Sequence, residues 1–193
     1  MRVPWPALFG NDRPVEVEIG PGRGHVLLAF AAAAPATNFF AIERAAGDAA
    51  TLAEKATLQG LGNVRVIAGD ARCIVTRLIA DGSVAAYHVY FPDPWPKRRH
   101  HPRRLVDANF AAEVARTLVP GGALHLASDL RPLVDAFTAV LATAGLRVAP
   151  GATPPPGRPT TSYERKYARA GTHYVRLLRP ERTGAPAPVT ADG

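Results

Sequence analysis

Five short apolar segments of the chain each end at a carboxylate, and helix-forming stretches separate them. Strands that alternate with helices in this way form a parallel sheet, with right-handed crossovers that place helices on both faces. The carboxyl ends of parallel strands meet at one edge of the sheet, and ligands bind beyond that edge. We therefore predict that one edge gathers all five acids, which are Glu18, Glu43, Asp70, Asp93 and Asp129.

The order of the segments predicts an α/β fold with a mostly parallel, twisted sheet of about seven strands and helices on both faces. Apolar runs predict strands at residues 15–19, 38–42, 63–68, 83–91, 123–127, 146–149 and 173–178. Helix-forming composition predicts helices at 25–34, 45–59, 72–79, 106–118 and 132–144. The Pro-Gly-Gly of residues 120–122 is predicted to close the helix before the fifth strand.

The chain has 193 residues, which is the size of a single domain. We predict one domain over residues 1–180 and a flexible tail over residues 181–193, which are rich in Pro, Ala, Thr and Gly. The longest apolar run, residues 26–35, is far shorter than the roughly 20 residues of a membrane span, so no membrane association is predicted. The first ten residues have no apolar core of secretory-signal length, so we expect a cytoplasmic protein. Its oligomeric state, monomer or homodimer, stays open.

Metal chemistry is not predicted. Cys73 is the only cysteine, which excludes an internal disulfide and a cysteine-based metal cage. His100 and His101 are adjacent but have no third ligand near them in the sequence.

Positive charge is concentrated in two stretches of the chain. Lys and Arg outnumber Asp and Glu by 23 to 16, a formal net charge of +7. Residues 92–105 carry +4 and residues 158–182 carry +5, so the rest of the chain is slightly acidic. A near-neutral body with two basic patches suits a polyanionic partner such as nucleic acid. Two solvated basic loops would give the same charge pattern, and charge alone does not separate the two interpretations.

The first predicted strand runs into a glycine-rich turn, which reads Glu-Ile-Gly-Pro-Gly-Arg-Gly over residues 18–24. Glycine lets the backbone turn tightly and lets a ligand approach without a Cβ in the way. The third glycine comes one residue too early for the dinucleotide-binding pattern, so an NAD-dependent enzyme is the least favoured interpretation. An acid two residues before the first glycine suits a ligand with an amino group rather than a phosphate. We predict that Glu18, Gly20 and Gly22 bind such a ligand.

The acids at the next two strand ends extend this site. Glu43 lies 19 residues after Gly24, a spacing that suits an acid accepting hydrogen bonds from two ribose hydroxyls. Asp70 lies where it could meet an adenine amino group, and it could also cap the helix that follows. Together with an amino-group site at Glu18, these acids predict S-adenosyl-L-methionine as the cofactor.

A basic, proline-rich segment follows the fourth predicted strand, and residues 91–105 read FPDPWPKRRHHPRRL. This segment strongly resembles the bacterial tRNA (guanine-N7)-methyltransferase family, whose motif at this strand end is PDPW-x-K-x-RH-x-x-RR. The Ser-Asp-Leu of residues 128–130 and the Thr-Ser-Tyr-Glu of residues 161–164 resemble two further motifs of the family. The resemblance covers about residues 15–178.

The resemblance implies a Rossmann-like class I methyltransferase fold, with S-adenosylmethionine as cofactor, tRNA as partner and N7 of the variable-loop guanine as methyl acceptor. Asp93 is the predicted catalytic residue, because a carboxylate beside the purine favours the positive charge that develops on methylation. Asp93 is also predicted to contact the cofactor. By resemblance, the substrate contacts are Lys97, Asp129, Thr161, Ser162, Tyr163 and Glu164. The residues expected to meet tRNA phosphates are Arg98, Arg99, Arg103 and Arg104.

Two of the departures of the chain from the family pattern bear on its substrate. Ser162 and Tyr163 stand where members commonly have Lys and Phe, and the chain begins close to its first strand, without the longer N-terminal extension of many members. Two alternatives therefore stay open: a small-molecule N-methyltransferase on the same fold, and a non-catalytic RNA-binding module. The five cations of residues 91–105 speak against the first, and the acids at the strand ends speak against the second.

Overall fold

The computed structural model describes residues 2–95, 97, 99–100, 104–151, 154–155, 158–160, 164 and 171–181. The strands in these ranges are β1 (Val15–Ile19), β2 (Asn38–Glu43), β3 (Val64–Ala68), β4 (Val84–Tyr90), β5 (Leu118–Ser128), β6 (Arg147–Val148) and β7 (His173–Leu178). They form one sheet in the order β3-β2-β1-β4-β5-β7-β6. The first five strands are parallel, whereas β7 runs antiparallel to both β5 and β6. The predicted fold class is confirmed.

Helices cover both faces of this sheet. They are α1 (Trp5–Phe9), α2 (His25–Ala33), α3 (Ala46–Leu58), α4 (Ala71–Leu78), α5 (Ala108–Thr117) and α6 (Arg131–Thr143). One apolar cluster joins the sheet to α1, α4, α5 and α6, and a second joins it to α2 and α3. The sheet is buried from both sides, which is why all six residues of β2 are buried although its sequence, NFFAIE, shows no alternation.

Two features differ from the sequence-based expectation. The helix α1 was not predicted; its Trp5 and Phe9 are buried, and the Trp5 ring packs edge-on against Phe40 at 5.1 Å between centroids. The Pro-Gly-Gly of residues 120–122 lies within β5 rather than closing a turn. Backbone hydrogen bonds between this segment and Arg179, of 3.0 and 2.8 Å, hold it beside the end of β7, although Gly121 has a φ of +75° and the pairing of β5 with β4 shifts register here.

The order of the strands creates a crevice beside β1. Because β2 lies on one side of β1 and β4 on the other, the chain crosses over in opposite directions from this point. The connections after β1 and β4 therefore diverge and leave an opening at the carboxyl ends of the strands. The predicted domain boundary at residue 180 stays a prediction, and residues 182–193 lie outside the described part of the chain.

Candidate active site

A cavity of about 750 Å³ opens at this crevice. The carboxyl ends of four strands contribute to its wall, through Gly20 after β1, Glu43 at the end of β2, Asp70 after β3 and Asp93 after β4. Three of the five predicted strand-end acids therefore line one cavity. Among the described residues, Glu18 and Asp129 do not line it.

The glycine-rich turn follows β1 and contributes Gly20 to the wall of the cavity. Gly22 has a φ of +56°, which L-residues rarely adopt, and no heavy atom lies within 4 Å of the place where a Cβ would be. Gly24 serves a different purpose, because a Cβ there would lie 2.0 Å from a side-chain carbon of Leu52 on α3. The first two glycines of the turn thus leave space open, and the third allows α2 and α3 to pack closely.

Glu43 ties this turn to the end of β2. One of its carboxylate oxygens accepts a hydrogen bond from the Gly22 backbone N–H at 2.9 Å, and the other accepts one from the Ala45 N–H at 2.8 Å. The side chain is buried and lines the cavity. A charged carboxylate held by two backbone donors has lone pairs left for further donors, such as sugar hydroxyls.

Asp70 caps the helix α4. Its Oδ1 accepts hydrogen bonds from the backbone N–H groups of Arg72 at 2.9 Å and Cys73 at 3.3 Å. The capping role considered in the sequence analysis is therefore present, and the residue lines the cavity as well. A predicted contact with adenine stays a prediction.

Asp93 is carried by a loop with a strained backbone. The flanking residues Phe91 and Trp95 have φ of +49° and +40°, a region that costs a bulky residue about 1–3 kcal/mol. The loop is held from outside by Arg104, whose Nε donates to the Pro94 carbonyl at 3.0 Å. Strain of this kind persists only where the surrounding structure imposes it, and it often marks a functional site.

The basic residues predicted to meet tRNA differ in their surroundings. Lys97 and Arg99 are exposed, whereas Arg104 is half-buried and braces the loop that carries Asp93. Asp129 is half-buried at the end of β5, with an oxygen 3.3 Å from the Ser128 hydroxyl. The remaining predicted residues, Arg98, Arg103, Thr161, Ser162 and Tyr163, lie outside the described residues.

Four functional candidates were not found from the sequence. Arg44 and Arg72 line the cavity directly after Glu43 and Asp70, and Arg72 forms an ion pair of 3.3 Å with Asp107. Behind Tyr90, Arg158 and Tyr174 form a buried cluster with Glu164. One sequence feature could have identified Arg44 and Arg72: each follows a strand-end acid within two residues. The sequence has no such feature for Arg158, which belongs to a basic stretch that suggested exposure.

Glu18 is buried at the end of β1, with 4% of its surface exposed. Burial raises the pKa of its carboxyl group to about 8, and the positive charge of Arg158 opposes the rise. At neutral pH this acid is therefore held largely in its neutral form until a cation approaches it. A ligand amino group would supply that cation. The predicted role of Glu18, binding such an amino group, stays a prediction.

The pKa of Glu18 predicts a pH-dependent stability. Because the pKa is higher in the folded protein than the ordinary value of 4.5, the folded state binds the proton more tightly. Protonated Glu18 contributes fully to the free energy of unfolding below pH 4.5. This contribution is lost as the pH rises through about 8, at about 1.4 kcal/mol per pH unit. We expect the free energy of unfolding, measured in urea, to fall by a few kcal/mol between about pH 5.5 and 8.5 in the wild type, and to fall much less in Glu18→Gln. The exposed Glu54→Gln is the control, and parallel pH curves for the wild type and Glu18→Gln would contradict the prediction.

Comparison with known proteins identifies the family. A family model described as putative methyltransferase matches residues 12–177. A tRNA (guanine-N(7)-)-methyltransferase of Pseudomonas putida strain W619 is 40% identical over 187 residues, which cover 94% of this chain and 78% of that protein. A relative of the same name from Pseudomonas aeruginosa strain UCBPP-PA14 is 41% identical over 186 residues, covering 91% and 74% of the two chains.

The chain belongs to the tRNA (guanine-N7)-methyltransferase family. The resemblance found in residues 91–105, 128–130 and 161–164 is thereby confirmed for most of the chain. No helix in the described part of this family member is long and apolar enough to cross a membrane.

Solved structures of more distant proteins share the fold of this family member. The aminoglycoside resistance methyltransferase NpmB1 matches with a TM-score of 0.63 and 16% identity, over 90% of this chain and 91% of that one. The 16S rRNA (adenine(1408)-N(1))-methyltransferase of Catenulisporales acidiphilia matches with a TM-score of 0.62 and 16% identity, over 94% and 92%. At this identity the likeness concerns the fold, and it confirms the Rossmann-like methyltransferase architecture.

Proposed function

We propose that the chain transfers a methyl group from S-adenosylmethionine to N7 of a guanine in tRNA, the variable-loop guanine. The observation that carries the proposal is that Asp93, from the family motif, lines the same cavity as Glu43 and Asp70. Relatives about 40% identical over most of the chain are named for this reaction, which supports the choice of acceptor.

The chemistry of the cavity fits S-adenosylmethionine. Glu43 is the residue that would hold the ribose, and Asp70 the one that would meet the adenine. Gly20 lines the cavity, and a Cβ at this position would meet no heavy atom within 4 Å, so the glycine leaves that part of the cavity open. The carboxylates along the cavity, with Glu18 behind it, suit a ligand that carries positive charge on its sulfonium and amino groups.

The chain's own residues would contribute positioning and charge. When bound, S-adenosylmethionine supplies an electrophilic methyl group. The guanine N7 has a free lone pair, so no strong general base is required, and the enzyme has mainly to orient the base and exclude water. Asp93 can accept hydrogen bonds from the N1–H and amino group of guanine, which would select this base. Its negative charge stabilises the positive charge that methylation places on the purine.

The first experiment tests the activity itself. The protein is incubated with unmodified tRNA and S-adenosylmethionine labelled in the methyl group, and the product is mapped by reduction and strand scission at N7-methylguanine. We expect one modified site, in the variable loop. Label in a base atom other than N7, or no label in tRNA at all, would overturn the proposal.

Contact with phosphates predicts a steep salt dependence of tRNA binding. Neutralising about four phosphates makes the affinity fall roughly a hundredfold between about 50 and 200 mM salt. We expect the double variant Lys97→Ala/Arg99→Ala to have a shallower slope, measured by fluorescence anisotropy with labelled tRNA. Arg147→Ala, an exposed arginine on the edge strand β6, is the control with an unchanged slope. A flat salt dependence in the wild type would instead favour a small neutral metabolite as the substrate.

A further inference from the structure

A buried arginine lies behind the wall of the cavity. Only 1% of the Arg158 side chain is exposed, and 6% of the Glu164 side chain with which it pairs. The Arg158 Nη1 donates to Glu164 Oε1 at 3.0 Å, and Nη2 lies 3.0 Å from Glu164 Oε2. The two groups therefore form a buried ion pair in which Nη1 makes the charge-assisted hydrogen bond and Nη2 contributes proximity of charge.

Two tyrosines fix this ion pair to the sheet. The Arg158 guanidinium lies 4.3 Å from the centre of the Tyr90 ring and 5.3 Å from that of the Tyr174 ring. Tyr174, on β7, accepts a hydrogen bond of 3.0 Å from Arg158 Nη1 and donates its own proton to Glu164. The Tyr90 hydroxyl is held by His88 at 2.8 Å. Since Tyr90 lines the cavity, Arg158 is separated from the site by one aromatic ring.

Glu164 is the last residue of the 161–164 motif, which the family resemblance predicts to contact the substrate. Its carboxylate is placed by Arg158 and Tyr174, which belong to different segments of the chain. The ion pair therefore connects Glu164 to Tyr174 on β7 and to Tyr90 on β4, of which Tyr90 lines the cavity.

We propose that Arg158 is a positioning residue for methyl transfer: its guanidinium holds Glu164, the last residue of the substrate motif, beside Tyr90 and Tyr174. This role presupposes the methyltransferase activity proposed above. Arg158 does not touch the reacting atoms in this assignment. Lysine cannot replace it, because an ammonium group keeps the charge but cannot reach both carboxylate oxygens and lie flat on the Tyr90 ring at the same time.

The test is the kinetics of Arg158→Lys and Arg158→Met with tRNA as substrate. We expect Arg158→Lys to raise KM for tRNA roughly tenfold, and Arg158→Met by more, because the hydrogen bonds of the guanidinium to Glu164 and Tyr174 are lost. The affinity for S-adenosylhomocysteine, measured by calorimetry, should stay within about twofold for Arg158→Lys, since that variant keeps the positive charge. Glu164→Gln should reproduce the effect of Arg158→Lys, and the double variant should add little to either single one.

A second readout separates positioning from simple stabilisation. Glu18 pairs with Ala41 and His88 on the neighbouring strands and interacts electrostatically with Tyr90 and Arg158. The variant Arg158→Met removes the positive charge that acts on Glu18. The pKa of Glu18 should then rise further, so stability in urea should continue to fall to a higher pH than in the wild type. Arg158→Lys should leave this pH profile unchanged.

The matched control is Arg116→Lys. Arg116 also pairs with two acids, Glu113 at 2.6 Å and Asp81, but lies in the last turn of α5, before β5, and does not line the cavity. We expect this control to lower the melting temperature without changing KM for tRNA. If the wild type does not methylate tRNA, the proposed function fails. If the wild type is active but the Arg158 variants behave like Arg116→Lys, or weaken cofactor and tRNA binding equally, the positioning role is overturned.

Discussion

Asp93→Ala is expected to lose nearly all methyl transfer while still binding S-adenosylhomocysteine with close to wild-type affinity. Removing a preorganised group that stabilises transition-state charge lowers kcat by a hundredfold to a thousandfold or so, and loss of base recognition adds to this. The cofactor keeps Glu43, Asp70 and the glycine-rich turn as its partners, none of which depends on Asp93 for its hydrogen bonds. Single-turnover methylation and calorimetry measure the two quantities separately.

Two further variants test whether the loss of activity is due to the charge of Asp93. Asp93→Asn keeps the size of the side chain but removes its charge, so its kcat should fall almost as far as that of Asp93→Ala. Asp135→Ala removes an acid on α6 that pairs with Arg131 at the surface and should be fully active. Wild-type turnover in Asp93→Asn would show that the charge of this residue is not needed.

Glu43→Ala is expected to have the opposite effect to Asp93→Ala. Its cofactor binding should be weak, and its kcat should recover at saturating S-adenosylmethionine. The Glu43 carboxylate holds the backbone N–H groups of Gly22 and Ala45, so its removal loosens the turn as well as deleting the ribose partner. Each charge-assisted hydrogen bond contributes about 1.5–3 kcal/mol, so the affinity should fall at least about a hundredfold.

Glu43→Gln tests which of these losses matters. The amide has one acceptor oxygen, so it can keep one of the two backbone hydrogen bonds but not both. Its cofactor affinity should lie between those of the wild type and Glu43→Ala. If Asp93→Ala and Glu43→Ala affect kcat and cofactor affinity in the same way, the assignment of separate roles to the two acids is wrong.

The arrangement of the sheet could be predicted because it depends on residue patterns within short segments of the chain. Strand ends are marked by a change from apolar residues to glycine and acid, and parallel strands necessarily bring their carboxyl ends to one edge. Glu43, Asp70 and Asp93 were placed together for that reason, and they line one cavity. The helix α1 could not be predicted, because five residues are too few to show a periodicity and their burial depends on Phe40, which is distant in the sequence.

Contacts between distant segments could not be derived in this way. Arg104 and Arg158 were both counted as cations of basic stretches, yet one braces the loop of Asp93 and the other is buried against Tyr90. A guanidinium is buried only where a carboxylate and aromatic rings converge on it, and that convergence involves several strands. Both arginines stand in basic stretches of the sequence, so the sequence does not distinguish their surroundings in the folded protein.

The sequence by itself determined the order of the strands and of helices α2 to α6, the edge at which three of the five acids gather and the family to which the chain belongs, since these follow from patterns within short segments. The tertiary structure alone decided the strain around Asp93, the burial of Glu18 and the pairing of Arg158 with Glu164. The burial of Glu18 and the contact of Arg158 with Tyr90 depend on groups far apart in the chain, whose desolvation and mutual charge become defined only when the sheet brings them together.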